Sequence, residues 1–269
     1  MKYLEFKPID PLANDIQLIW MLESETADDF YPKERIMPDG IVEIVFHYRE
    51  PFITYSQNGV RFIQPKGFAV SQMRRFIEIE SNGSTGFISV RFYPWGAYHF
   101  FSKPIKTFLD DTVSLTEIWP EHYQQIMAEI CSAESPNERL HAVQQFLLNR
   151  LRENKNNRSR IDAAVKLIRA SKGQLSIEEV CEETGLSKKQ LERNFLATVG
   201  TTPKVFSRIS RFLNICQNLR DNRGKTLTQL AYECDYFDQA HFIKEFKEFS
   251  GFTPKAFFAR NNISFTGLS

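Results

Sequence analysis

Gly200-Thr201-Thr202-Pro203-Lys204-Val205-Phe206 recurs 51 residues later as Gly251-Phe252-Thr253-Pro254-Lys255-Ala256-Phe257. Each copy follows a short amphipathic helix with apolar anchors, Leu191 and Phe195 in the first, Phe242 and Phe246 in the second. Further upstream Val180-Cys181 aligns with Leu230-Ala231 at a register of 50, so the second copy holds one extra residue in its turn. A unit of helix, turn, helix and Gly-x-Thr-Pro that occurs twice reads as two heads on one rod. That arrangement suits a double helix better than a small substrate.

Outward from the repeat, everything after Ile161 has helical periodicity. Ile161, Val165, Leu167 and Ile168 mark a first helix, and 177–183 a second that Gly185 ends. Ser187 is the expected N-cap of a third helix over 188–198, and Pro203 opens a long fourth to about 219. Stretches 227–234, 239–249 and 254–261 complete seven predicted helices, with Asp238 as the matching N-cap in the second copy. At 100° per residue Leu191, Phe195 and Thr198 share the inward face of the third helix, and Lys189, Glu192, Arg193 and Leu196 point away. On the sixth helix Phe242, Phe246 and Phe249 point inward. Ala240, Ile243, Lys244 and Lys247 point outward, with Gln239 on the flank of the first turn. Long amides, carboxylates and guanidinium groups on such a face reach base edges, and Ala or Ile meets thymine methyls.

The first 115 or so residues have a different period. Segments 41–48, 52–55, 60–63, 68–71, 76–80 and 87–93 read as short strands. Pro38-Asp39-Gly40 marks a turn, and Asn58-Gly59 and Asn82-Gly83 are expected hairpin turns. The expectation is a small antiparallel barrel or sandwich. A short helix over 95–101 and helices over 119–130 and 136–152 follow, the last with Leu140, Val143, Phe146, Leu147 and Leu151 on one stripe. The fold class expected is therefore α+β. A sensor or effector domain spans 1–152, β-rich over 1–115 and helical over 116–152. A polar linker spans 153–160, and an all-α tandem helix-turn-helix domain spans 161–262.

Net charge is +1, but residues 1–158 carry 17 Lys and Arg against 21 Asp and Glu, and residues 159–269 carry 17 against 12. An acidic half joined to a basic half fits a sensor joined to a polyanion binder. Four widely spaced cysteines without a Cys-x-x-Cys pair read as free thiols, with Cys181 and Cys216 expected to be buried. No apolar run approaches the roughly 20 residues of a membrane span, and Met1-Lys2-Tyr3-Leu4-Glu5-Phe6 lacks the apolar core of a signal peptide, so a cytoplasmic protein without a membrane partner is expected.

Residues 161–262 resemble the AraC/XylS-type DNA-binding domain, in which two helix-turn-helix motifs joined by a long helix enter successive major grooves. The more specific signature reads Ala231-Tyr232-Glu233-Cys234-Asp235-Tyr236-Phe237-Asp238-Gln239-Ala240-His241-Phe242-Ile243-Lys244-Glu245-Phe246-Lys247, closing on Gly251-Phe252-Thr253-Pro254. Asp235-Tyr236 stands where the family usually has Gly-Phe, and Asp tolerates a left-handed turn. The resemblance implies double-stranded DNA as partner. It implies base-edge roles for Lys189, Glu192 and Arg193 and for Gln239, Ala240, Ile243 and Lys244, with phosphate contacts from Lys188 and Lys247. RNA polymerase, a small-molecule effector and a second copy of the chain are the further partners considered.

Met37-Pro38-Asp39-Gly40-Ile41-Val42-Glu43 and Val90-Arg91-Phe92-Tyr93-Pro94-Trp95-Gly96-Ala97 resemble the cupin-like sensor domain often placed before such DNA-binding domains. Metal-binding cupins need a His-x-His pair, and this region has only His47 and His99, so no metal or other cofactor is expected. Glu43 and His47 alternate onto one strand face, which lines a barrel interior or faces solvent. Arg91, inside an apolar strand, needs an anionic partner and is the third candidate for a ligand pocket. The rival reading is an enzyme carrying this DNA-binding module, either a DNA-repair alkyl acceptor or a cupin-type enzyme. The first lacks an activated cysteine, the second its metal ligands, and no catalytic residue is assigned.

Overall fold

The computed structural model describes residues 1–26, 29–101, 104–108, 112–154, 160–221, 227–234, 236 and 238–259. The N-terminal part holds two antiparallel sheets. One has six strands in the order β1 (Lys2–Phe6), β2 (Ile16–Glu23), β9 (Gly86–Phe92), β4 (Glu43–His47), β7 (Gly67–Val70) and β10 (Thr112–Ser114). The other has four, in the order β3 (Glu34–Ile36), β8 (Ile77–Glu80), β5 (Ile53–Tyr55) and β6 (Arg61–Ile63).

Strand alternation sorts the large sheet into two faces. Ile44, Phe46, Ile88, Val90 and Phe92 are buried on the face covered by α1 (Leu115–Ile118), α2 (Tyr123–Ser132) and α3 (Pro136–Glu153). The opposite face carries the cross-strand pairs Glu43–Arg91, Val45–Ser89 and His47–Phe87 toward the small sheet. Asn58-Gly59 closes the β5–β6 hairpin as expected. Asn82-Gly83 does not make a hairpin: β8 and β9 belong to different sheets, and the turn carries the chain between them. The helix expected over 95–101 is a single 3-10 turn, Ala97–His99. The apolar stripe of α3 faces the chain's own core: Val143 and Leu147 are buried, and Leu140, Phe146 and Leu151 pack against the same cluster.

Seven helices follow among the described residues: α4 (Arg160–Ala170), α5 (Ile177–Thr184), α6 (Lys188–Thr198), α7 (Pro203–Asp221), α8 (Leu227–Glu233), α9 (Gln239–Ser250) and α10 (Pro254–Phe258). The linker residues 155–159 and the turn residues Asp235 and Phe237 lie outside the described residues. Helix α7 serves both motifs. Its first turn gives Phe206 to a core with Ile161, Val165, Val180, Leu191 and Phe195. Its later turns give Ile209, Phe212, Ile215 and Cys216 to a core with Phe242, Phe246, Phe249 and Phe257. A rod whose two ends belong to two cores fixes the motifs with respect to each other.

The repeated Gly-x-Thr-Pro has a local cause. Gly200 and Gly251 take positive φ, 90° and 77°, which stops the preceding helix without a Cβ penalty. Thr202 Oγ1 accepts from Val205 N at 3.3 Å and Thr253 Oγ1 from Ala256 N at 3.3 Å, and Pro203 and Pro254 take the first helical position. Cys216 and Cys234 are buried, Cys181 is only half-buried and Cys131 is exposed.

Candidate nucleic-acid interface

Helix α6 starts with a capping box. Ser187 Oγ accepts from Gln190 N at 3.3 Å, and Gln190 Oε1 accepts from Ser187 N at 3.0 Å. Leu191 and Phe195 are fully buried and Thr198 nearly so. That orientation leaves Lys188, Lys189, Glu192 and Arg193 exposed on the N-terminal half of the helix. Lys188 Nζ lies 3.2 Å from Glu178 Oε1, but both groups are exposed, and such a pair is worth little. Leu196 is half-buried rather than outward.

Helix α9 repeats the arrangement. Asp238 caps it, accepting from His241 N at 2.7 Å, and Phe242, Phe246 and Phe249 are at most 1% exposed. Gln239, Ala240, Lys244 and Lys247 are exposed. Gln239 Oε1 accepts from Thr228 Oγ1 at 3.1 Å, which ties the first turn to α8. Ile243 is half-buried against the second core and offers only part of its side chain outward. Glu245 was hidden from sequence reading. It is 2% exposed, and its carboxylate accepts from Arg208 Nε of α7 at 2.6 Å and from the Tyr236 hydroxyl at 2.6 Å. Arg208 also reaches Glu248 at 2.6 Å, so α9 is keyed to the connector by charge as well as by packing.

The β-domain touches the same turn in both motifs. Arg35 Nη1 donates to Ser250 O at 2.9 Å, while its Nε and Nη2 donate to Glu78 Oε1 at 3.2 and 2.7 Å. The guanidinium lies between the Phe76 ring at 3.8 Å and the Phe252 ring at 4.0 Å. A β-carbon at Gly251 would overlap Phe76, and one at Gly200 would sit 2.7 Å from Ile105 Cγ2 and 3.1 Å from Ser71 Oγ. Met37 joins the second core and Trp95 packs on the first. The contacts hold the C-terminal ends of α6 and α9 and leave the N-terminal halves open.

Behind that contact, between the two sheets, lies a cavity of about 100 Å³ lined by Glu43, His47 and Arg91 together with aromatic and aliphatic side chains. Arg91 Nη2 donates to Asp39 Oδ2 at 2.6 Å and Nη1 lies 3.8 Å from Glu43 Oε2. Its anionic partners are thus carboxylates of the chain itself. Burial works against the guanidinium charge, and Glu43 and Asp39 more than restore it, so Arg91 holds its proton more tightly than an exposed arginine. His47 is 1% exposed, with Nε2 3.0 Å from Gln64 Oε1. Burial lowers its pKa to about 4, against the help of Gln64, and the ring is neutral at pH 7.

An unfolded His47 takes up a proton near pH 6.5, and the folded one only near 4. Stability is therefore lost as pH falls through that window, by about 2–3 kcal/mol at the lower end. Urea melts of wild type and His47→Gln at pH 7 and pH 4.5 should show the variant losing less stability on acidification by about that amount. Equal losses would mean that His47 is not buried in its neutral form.

Residues 180–260 match the family described as "Helix-turn-helix domain", and residues 4–114 match "Domain of unknown function (DUF6597)". The chain is similar to the uncharacterized HTH-type transcriptional regulator YidL of Escherichia coli (strain K12), 30% identical over 100 residues, which is 37% of this chain and 33% of that relative. The match therefore spans about a third of the relative's length. Among solved structures, ToxT from Vibrio cholerae is 10% identical with a TM-score of 0.47, covering 97% of this chain and 100% of that one. The AraC-like transcriptional activator CuxR is 12% identical with a TM-score of 0.26, covering 75% and 77%. The exposed halves of α6 and α9, the connector between their cores and the match over 180–260 together identify the C-terminal part of this chain as a helix-turn-helix domain.

Proposed function

We propose that the chain is a sequence-specific DNA-binding transcription regulator without catalytic activity, acting in the cytoplasm. One observation carries the reading: two helices in equivalent settings each bury a stripe anchored by phenylalanine and expose a mostly polar N-terminal half that carries lysine, on opposite ends of one rod. Arg193 and Lys189 on α6, and Lys244 and Gln239 on α9, are the base-reading side chains of this account, with Glu192, Ala240 and the outward part of Ile243 beside them. Lys188 and Lys247 hold phosphates. Exposed lysine and arginine cost little to redirect onto a phosphate or guanine edge.

Regulation follows from the contact between domains. Ile36, Asp39, Ser71, Met73 and Ile77 line the cavity, and their chain neighbours Arg35 and Phe76, with Ser71 itself, touch the turns after α6 and α9. A small molecule in the cavity, held beside Glu43, His47 and Arg91, would bear on both turns at once. It shifts DNA binding to the extent that it prefers one domain arrangement over another. The sensor is assigned to 1–152, the linker to 153–160 and the DNA-binding part to 161–262. RNA polymerase and a second copy are the protein partners of this reading. The apolar stripe of α3 is occupied by the chain's own core, so a second copy would not dock on it.

The test is selection of bound sites from a random duplex pool, followed by gel shifts at several salt concentrations. Arg193→Ala and Lys244→Ala should each weaken the selected site by about 1–3 kcal/mol and relax preference at one position. No selected site, or full affinity and unchanged preference in both variants, would refute the reading.

A further inference from the structure

We propose that the cavity between the sheets takes a small organic cation, an ammonium group on a short branched aliphatic body, and rejects carboxylates. This rests on the cavity being the effector site of the function proposed above, and it adds the chemistry of the ligand. Among the described cavity-lining residues Arg91 is the one arginine and there is no lysine; Asp39 is hydrogen-bonded to it at 2.6 Å, with Glu43 nearby at 3.8 Å. A ligand carboxylate would compete with Asp39 for Arg91 and would add a third acid beside Asp39 and Glu43. Among the lining side chains, with His47 neutral, two carboxylates stand beside one guanidinium; Arg169, outside the lining, also acts on Asp39, so Asp39 is the acid matched by arginine on two sides and Glu43 the one with an oxygen to spare.

Glu43 supplies the receiving atom. Its Oε1 accepts from Trp20 Nε1 at 2.8 Å and from Ser89 Oγ at 2.6 Å, which fixes the carboxylate in place. Its Oε2 has Arg91 Nη1 at 3.8 Å, beyond hydrogen-bond distance, and is the oxygen still open to a donor. Around it stand aromatic rings. Trp20 meets Phe87 edge to face with centroids 4.8 Å apart, Phe52 meets Phe87 at 5.7 Å, and Tyr31 stacks on Phe52 at 5.3 Å. All four line the cavity. Ring faces attract a desolvated cation, and a carboxylate oxygen among them supplies the hydrogen-bond acceptor that an ammonium needs on leaving water. The volume of about 100 Å³ is below the roughly 150 Å³ of a cavity that holds benzene, so the apolar body is smaller than a ring.

Isothermal titration of the full chain with isobutylammonium, isobutanol and isobutyrate tests this, because the three are of like size and differ in charge. Isobutylammonium should bind at least tenfold more tightly than isobutanol, and isobutyrate should not bind. Glu43→Gln keeps an acceptor for Trp20 and removes the charge. It should bring isobutylammonium to within threefold of isobutanol, while unchanged binding of the alcohol shows that the cavity is intact. Isobutyrate binding as tightly as isobutylammonium, no binding of isobutylammonium at millimolar concentration, or a preference untouched by Glu43→Gln would overturn the proposal. No DNA enters this measurement. A cation that binds without altering the gel shift would count against the effector role and leave the ligand chemistry standing.

Discussion

Phe246→Ala is expected to destabilise the C-terminal domain by about 3–5 kcal/mol, a large part of what a domain of this size has. Phe246 is 1% exposed and meets Phe212 of the connector at 5.2 Å, Phe257 of α10 at 5.1 Å and Phe242 of its own helix at 5.8 Å. Truncation leaves a void between three elements that cannot all close on it. Phe195→Ala should do the same in the first core, where the ring is fully buried against Phe206 at 5.5 Å. Urea melts followed by circular dichroism would measure the loss. A Phe246→Ala protein that kept its stability but lost DNA affinity would mean that the ring contacts DNA and is not a core anchor.

Glu245→Ala is expected to cost about 3 kcal/mol, somewhat less than a fully enclosed pair because Arg208 keeps Glu248 at 2.6 Å and is 24% exposed at its side chain. The variant leaves the Tyr236 hydroxyl without its acceptor and strips Arg208 of its buried partner. Glu245→Gln keeps the shape and one acceptor oxygen and should cost clearly less. The two variants compared in urea separate charge from packing. Equal and negligible losses would show that the aromatic core alone holds α9 on α7.

Much of this molecule is legible in the sequence wherever the cause is local. Gly-x-Thr-Pro is a helix stop, a cap and a helix start within four residues, so its repetition announces two like units. The outward sides of α6 and α9 follow from helical periodicity, and the shared face of Glu43 and His47 from strand alternation. What escaped depends on partners distant in sequence. Arg35 and Ser250 are 215 residues apart, and nothing near Arg35 signals that its guanidinium will close on the end of α9. Glu245 reads as one more surface acid until Arg208 and Tyr236 arrive from α7 and the turn before α9. The stripe on α3 was visible as apolar, but periodicity does not say whether such a stripe faces the chain's own sheet or another molecule. The turn at Asn82-Gly83 likewise has hairpin residues, and only the assignment of β8 and β9 to different sheets shows that no hairpin forms.

In the proposed function both motifs read DNA together from one rod. Hydroxyl-radical footprinting of the full chain on a selected site tests it most directly. Two protected patches on one face of the duplex, about one helical turn or ~34 Å apart, are predicted for each monomer. Lys244→Ala should weaken one patch and Arg193→Ala the other. A single short patch, weakened by only one of the two substitutions, would contradict the account.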